Sequence, residues 1–128
     1  MVLDSSAIVA ILMDEPEAES LKERLRECES ALVGSPTLVE CMMVLTPRMH
    51  RDSSPTVNAF LAQFGVEVLS FSTLHSEESH RALLQFGKGR HKAKLNFGDC
   101  MAYAVAKVAG TPLLFVGEDF KLTDVKVA

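Results

Sequence analysis

Met1-Val2-Leu3-Asp4-Ser5-Ser6 is a strand-like apolar run that stops at a carboxylate, and Ala7-Ile8-Val9-Ala10-Ile11-Leu12 follows at once as a helix-like run. A strand that turns directly into a helix is the opening of an α/β fold, in which ligands and catalytic groups collect at the carboxyl ends of the strands. Asp4 stands on that edge. The fold and the function both depend on whether other acidic residues reach the same edge.

The same strand-then-helix pattern recurs downstream. Asp14-Glu15-Pro16-Glu17 breaks the first helix, and Pro16 suits the first turn of a second, with Ala18, Leu21 and Leu25 on one face. Ala31-Leu32-Val33-Gly34 reads as a buried parallel strand. Ser35 and Pro36 then supply the N-cap and first position of a helix that carries Glu40. Pro47 is expected to kink or end that helix near Thr46, because it lacks the amide donor and crowds the preceding turn.

Beyond a loop through Asp52-Ser53-Ser54-Pro55, helical spacing joins Val57, Phe60, Leu61 and Phe64, Gly65 ends the helix, and Val66-Glu67-Val68-Leu69 forms a third strand. Ser72 or Thr73 caps the next helix, with Leu74, Ala82, Leu83 and Phe86 expected to face inward. Residues 87–94 are basic and contain two glycines, which predicts a mobile loop. Residues 97–109 form an apolar helix ended by Gly110, residues 112–116 a fourth strand, and residues 124–127 a short edge strand. Alternating strands and helices imply one α/β domain over residues 1–128, with a mostly parallel central sheet of four to five strands flanked by helices.

Bulk properties narrow the function. At 128 residues, 48% hydrophobic and 23% charged, the chain is of ordinary globular composition. No apolar run approaches the roughly 18 residues of a membrane span, and no basic leader is visible, so a cytoplasmic protein without a membrane partner is expected. Three cysteines, Cys28, Cys41 and Cys100, have no metal-binding spacing and read as free thiols. A net charge of −4 argues against long-range attraction of nucleic acid by the protein alone, but not against a site where bound cations supply the positive charge.

Each candidate carboxylate has a structural explanation when taken singly. Asp4 suits a helix N-cap. Glu40 is flanked by apolar residues on every side, so burial would demand a cation. Asp99 sits three residues after Asn96, a natural N-cap, where the helix dipole favours an acid. Asp119 lies in a turn after the last strand, with Glu118 and Asp124 as competitors; Phe120 should anchor that turn. Together, however, all four fall at strand ends or in the helices that follow, and in a parallel sheet those places share one edge. Carboxylates crowded there repel each other and require divalent cations, and hard oxygen ligands suit Mg²⁺ or Mn²⁺. That is the composition of a metal-dependent phosphodiesterase. No phosphate-binding glycine loop, D-x-D opening or G-x-S-x-G elbow competes with it.

These residues resemble the PIN-domain ribonucleases, and within them the VapC-type toxins of bacterial toxin–antitoxin pairs. Met1-Val2-Leu3-Asp4-Ser5-Ser6-Ala7 is similar to the opening motif, Glu40 to the helix glutamate, Leu95-Asn96-Phe97-Gly98-Asp99-Cys100 to the third acidic motif, and residues 112–124 to the closing segment. The resemblance implies an α/β/α sandwich, a pocket for Mg²⁺ or Mn²⁺ formed by Asp4, Glu40, Asp99 and Asp119, supporting roles for Ser6 and Asn96, and cleavage of RNA, often tRNA or ribosomal RNA. It further implies a homodimer, a cognate VapB-type antitoxin, and operator DNA reached only through that antitoxin.

Lys88, Arg90, His91, Lys92 and Lys94 are candidates for phosphate contacts, which would position RNA without reading its sequence. Aromatic residues are sparse and the phenylalanines mostly have core spacing, so base stacking is not expected as a recognition device. Two other readings share the pocket: a non-catalytic RNA- or protein-binding module, and a structure-specific DNA nuclease.

Overall fold

In the computed structural model, which describes residues 1–128, the chain runs β1 (Val2–Leu3), α1 (Ser5–Leu12), α2 (Ala18–Glu27), β2 (Ala31–Gly34), α3 (Ser35–Met49) and α4 (Ser54–Phe64). It continues through β3 (Val66–Leu69), α5 (Thr73–Phe86), α6 (Phe97–Ala109) and β4 (Leu113–Leu114) to a 3₁₀ turn, Asp119–Leu122. All strand pairs are parallel, in the order β3-β2-β1-β4. The chain winds outward from β1 to β3, then crosses back to lay β4 on the other side of β1. That reversal opens a crevice at the carboxyl ends of β1 and β4, where sheets of this kind bind ligands.

Successive strand residues point to opposite faces. Leu3, Ala31, Val33 and Leu114 enter one core with α1 to α4, whereas Val2 and Leu113 enter a second core with α5 and α6. The result is an α/β/α sandwich. Helices cover both faces, which is why β1, β2 and β4 are apolar throughout, whereas the edge strand β3 carries the exposed Glu67. No helix is long and apolar enough to cross a membrane.

Several local expectations change. The helix carrying Glu40 does not stop at Thr46; α3 passes through Pro47 to Met49 and closes on His50, whose φ of 53° is left-handed. Pro47 lies on an exposed face in the last turn, so only one intrahelical donor is lost. Thr46 Oγ1 and Ser53 Oγ, 2.8 Å apart, tie this turn to the start of α4. Pro16 precedes α2 by a turn rather than opening it. On α5, Ala82 and Phe86 are buried as expected but Leu74 and Leu83 are exposed, and the inward position is taken by His75, whose Nδ1 accepts from the Ser72 amide at 3.0 Å. The fourth strand shortens to two residues, and the tail adds a single bridge, Leu113 to Val127.

The basic segment is held at several points rather than loosely tethered. The Lys88 amide donates to the Leu95 carbonyl (2.9 Å) and the Leu95 amide to the Phe86 carbonyl (3.0 Å), and Ala93 and Leu95 are fully buried between the exposed cations. His91 packs edge-on against Phe86, and its Nδ1 accepts from the Ala93 amide at 3.0 Å. The loop therefore presents Lys88, Arg90, Lys92 and Lys94 from a fixed base, with none of the four in an ion pair.

Candidate active site

Asp4 ends β1 and caps α1. Its amide donates to the Leu114 carbonyl of β4 (2.9 Å). Its Oδ2 accepts from the Ser6 amide (3.0 Å) and the Ser6 hydroxyl (2.5 Å). That hydroxyl in turn accepts from the Val116 amide at 3.0 Å, so Ser6 joins the ends of β1 and β4 through the carboxylate between them. The other oxygen, Oδ1, is buried with no partner, on a residue only 3% exposed. Burial pushes the carboxyl up to about 6 against the lowering effect of the Ser6 hydrogen bonds, and repulsion from Asp99 and Glu40 adds to the rise.

Removing the Ser6 hydroxyl tests that linkage. Ser6→Ala is expected to lower activity about 10- to 100-fold, the usual effect of freeing a ligand from its supporting hydrogen bond. The fold should survive with a cost of about 1–3 kcal/mol for the stranded Val116 amide. Cleavage rates and thermal melts of the two proteins check it.

Glu40 projects from the second turn of α3 toward the start of α6. A Cβ on Gly98 would overlap the Glu40 carboxylate and come within 2.7 Å of its Cδ. The carboxylate thus occupies the space a side chain would fill on the first turn of α6. Gly34, at the junction of β2 and α3, permits the approach: a Cβ there would lie 2.8 Å from Val105 Cγ2 of α6. No lysine, arginine or histidine pairs with Glu40, and Arg48, the nearest cation downstream, pairs with Glu15 at 3.8 Å. Its neighbours are other acids.

Asp99 sits at the third position of α6 in a reciprocal cap. The Asn96 side chain accepts from the Asp99 amide (2.9 Å), and Asp99 Oδ2 accepts from the Asn96 amide (3.0 Å). Burial raises the Asp99 carboxyl above its ordinary range, opposed by the Asn96 bond, and Glu40 and Asp119 raise it further. Asp119 begins the 3₁₀ turn after β4, anchored by buried Phe120.

Its competitors are engaged elsewhere. Glu118 is exposed and pairs with Lys121 at 2.8 Å. Asp124 accepts from the Tyr103 hydroxyl (2.5 Å) and Lys107 Nζ (3.0 Å). Although burial opposes it, those two bonds hold the Asp124 carboxyl below its usual range. Asp124→Asn is therefore expected to leave the activity of the site within about twofold while costing about 1 kcal/mol of stability for the weakened bonds; kinetics and denaturant melts on one preparation separate the two effects.

The structure thus brings Asp4, Glu40, Asp99 and Asp119 onto one edge, each within electrostatic reach of at least one other. None of the four is in an ion pair. Their side chains stand too far apart for any three acidic, histidine or cysteine groups to meet on a single point, as like charges do. An all-oxygen donor set, mutual repulsion and an unpartnered buried oxygen on Asp4 fit a hard divalent cation such as Mg²⁺ or Mn²⁺. The cysteines are all free thiols, and burial raises Cys41 and Cys100.

Two residues were not singled out from the sequence. Gly98 stands in the first turn of α6, a place where the missing side chain permits close approach. Phe97 is an exception to the mostly core spacing of the phenylalanines and is 82% exposed. An aromatic ring therefore does stand at the site, one residue before the glycine that makes room for Glu40.

Comparison with known proteins identifies the family. The PIN domain family profile matches residues 1–126. The chain is 41% identical over 127 residues to ribonuclease VapC36 of Mycobacterium tuberculosis, covering 98% of this chain and 91% of that protein. It is 39% identical to a ribonuclease VapC of Mycolicibacterium smegmatis, covering 98% and 97%. Among solved structures, Mycobacterium tuberculosis VapC20, described as a sarcin-ricin loop cleaving toxin, superposes with a TM-score of 0.80 at 15% identity, covering 99% of this chain and 97% of that one. VapBC2 of Rickettsia felis, bound to a promoter DNA fragment, gives 0.73 at 17% identity, covering 99% and 96%.

Proposed function

The chain belongs to the PIN-domain family, among its VapC-type ribonuclease toxins, and from that premise we propose that Asp4, Glu40, Asp99 and Asp119 form its catalytic centre for Mg²⁺- or Mn²⁺-dependent hydrolysis of RNA. The single observation carrying the assignment is the convergence of four unpaired carboxylates at the crevice between β1 and β4, with Asp4 Oδ1 buried and unsatisfied. A purely structural site has no use for such repulsion. It stabilises nothing.

Bound there, Mg²⁺ or Mn²⁺ supplies Lewis-acid charge for the scissile phosphate and lowers the pKa of an attacking water. The chain's own residues supply placement. Asp4, Asp99 and Asp119 would be the oxygen ligands, drawn together by a bound cation that neutralises the repulsion between them. Glu40 completes the set or orients the attacking water, and it is fixed for either role by the gap at Gly98. Ser6 holds Asp4 through Oδ2, leaving Oδ1 free for a ligand. Asn96 holds Asp99 in the same way. The N-terminus of α6 adds partial positive charge beneath these acids and any phosphate they face.

Solved relatives include toxin–antitoxin complexes, and a VapB-type antitoxin, contact with operator DNA through it, homodimerisation and a cytoplasmic setting are part of the same proposal. A tRNA or ribosomal RNA is the substrate expected of the family. Lys88, Arg90, Lys92 and Lys94 are proposed as phosphate contacts, supported by their exposure and lack of acidic partners; His91 serves mainly to hold the loop.

Matched end-labelled RNA and DNA of one sequence, incubated with Mg²⁺, Mn²⁺ or EDTA, test the reading. RNA cleavage that needs metal and spares DNA supports it. Cleavage of DNA alone selects the DNA-nuclease alternative, and cleavage of neither the binding-module alternative. Reversing Lys92 and Lys94 together to Glu should weaken RNA binding and flatten its salt dependence, as expected when phosphate contacts are lost.

A further inference from the structure

Beside the acidic edge lies a second feature that the carboxylate chemistry does not use. Between α5 and α6 is a cavity of about 480 Å³, within the range of pockets that bury small organic ligands. Leu83, Leu95, Cys100 and Met101 line it, with Leu95 and Cys100 buried as its floor. Three further lining residues give it direction. Phe97 presents its ring almost wholly to solvent. Lys88, an unpaired cation, opens the basic loop on the same cavity. Asn96 joins the cavity to the acidic site, because its Oδ1 accepts from the Asp99 amide while its Nδ2 has no protein partner.

We infer that this cavity is a nucleobase subsite: it takes one unstacked base of a single-stranded RNA segment, stacked on Phe97, with Lys88 on a neighbouring phosphate. The inference rests on the ribonuclease reading and deepens it. An apolar slot with an exposed aromatic suits the face of a base, since stacking on aromatic side chains is the usual way single-stranded RNA is held. Free donors on Asn96 and Lys88 suit the acceptors on base edges and phosphates. The charge fits an anion, because the basic loop continues from Lys88 and no acidic side chain lines the cavity. The position fits cleavage: a base seated here lies next to Asn96, whose partner is Asp99, so the adjoining backbone runs toward the carboxylates. The same placement accounts for Leu83, whose exposure on α5 serves the slot rather than the core.

The test uses full-length Asp4→Asn protein, expected to bind RNA without cutting it, and fluorescent single-stranded hexaribonucleotides carrying bases or abasic throughout. In Mg²⁺, base-bearing probes are expected to bind about tenfold more tightly than abasic ones, the range typical of one stacked base. Phe97→Ala should erase that difference, and Phe97→Tyr should keep it. Phe97 is exposed enough that both variants should fold, with melts as the check. Equal binding of the two probes, or an undiminished preference in Phe97→Ala, overturns the subsite while wild-type RNA cleavage leaves the nuclease reading intact. A Phe97→Ala protein whose oligomeric mass or antitoxin affinity changes, with base preference unaltered, assigns the cavity to a protein partner and also overturns it. If no RNA is bound by the parent or cut by the wild type, the ribonuclease reading itself fails and takes the subsite with it.

Discussion

Asp4→Asn is expected to abolish RNA cleavage and, at neutral pH in EDTA, to melt at a higher temperature than the wild type. The reason is the cost of keeping a charge at this position. Burial, with Asp99 and Glu40 nearby, raises the folded Asp4 carboxyl from 3.8 to about 6. A raised carboxyl binds its proton more tightly in the folded than in the unfolded chain. The metal-free fold is therefore best off below the unfolded value and loses stability as pH climbs through about 6.

At 1.36 kcal/mol per unit of displacement, the loss is on the order of 3 kcal/mol. Asparagine avoids it. Its oxygen still accepts from Ser6, and its amide places a donor where the unpartnered Oδ1 stood. The melting difference should be positive at pH 7.5, shrink below pH 5, and narrow when Mg²⁺ stabilises the wild type alone. A variant that melts lower than the wild type in EDTA at pH 7.5 would contradict this account of the site.

Gly98→Ala should produce the opposite signature, large in catalysis and small in stability. In a helix, alanine is favoured over glycine by about 1 kcal/mol. The atoms nearest the added methyl belong to the end of a flexible side chain, the Glu40 carboxylate, which can swing away at little cost to the fold. It cannot stay where it is. A displacement on the order of 1 Å at a catalytic group can lower the rate about 100-fold. The expected result is a kcat reduced about 100-fold with KM and melting temperature little changed. Pairing Gly98→Ala with Glu40→Asp, which shortens the clashing side chain, should recover part of the loss. A Gly98→Ala enzyme of normal kcat would show that Glu40 needs no fixed position.

The sequence carried most of the fold because local signals and global packing agree. The apolar runs of β1, β2 and β3, the caps Ser72 and Asn96, and the terminating Gly65 and Gly110 all occupy the places their chemistry predicts. Misreadings arose where tertiary context overrode a local rule. Pro47 is tolerated in a last turn that faces solvent. Leu74 and Leu83 follow helical spacing, but α5 turns His75 inward and leaves those two leucines outside. In the basic segment, glycine and charge mark a loop, while its anchors, Ala93 and Leu95, are too few to register as a pattern.

At the site, the four acids were legible as residues, since each follows a strand or opens a helix. Their convergence depends on the order β3-β2-β1-β4, which periodicity does not reveal. Asp119 is favoured over its neighbours in the sequence by the anchoring Phe120, and the partners of Glu118 and Asp124 become visible only in the fold. Gly98 and Phe97 were missed for related reasons: a missing side chain and an exposed one both acquire meaning only from what stands beside them.

The most direct test of the central claim is incubation of total bacterial RNA with purified, antitoxin-free protein, with and without Mg²⁺ or Mn²⁺, beside Asp99→Asn, with every fragment end mapped and its chemistry determined. The account predicts discrete cuts that require metal, vanish in Asp99→Asn, and carry no 2′,3′-cyclic phosphate, because water rather than the ribose hydroxyl attacks. Cuts that persist in EDTA or in folded Asp99→Asn, or none from folded wild type with either metal, would contradict it.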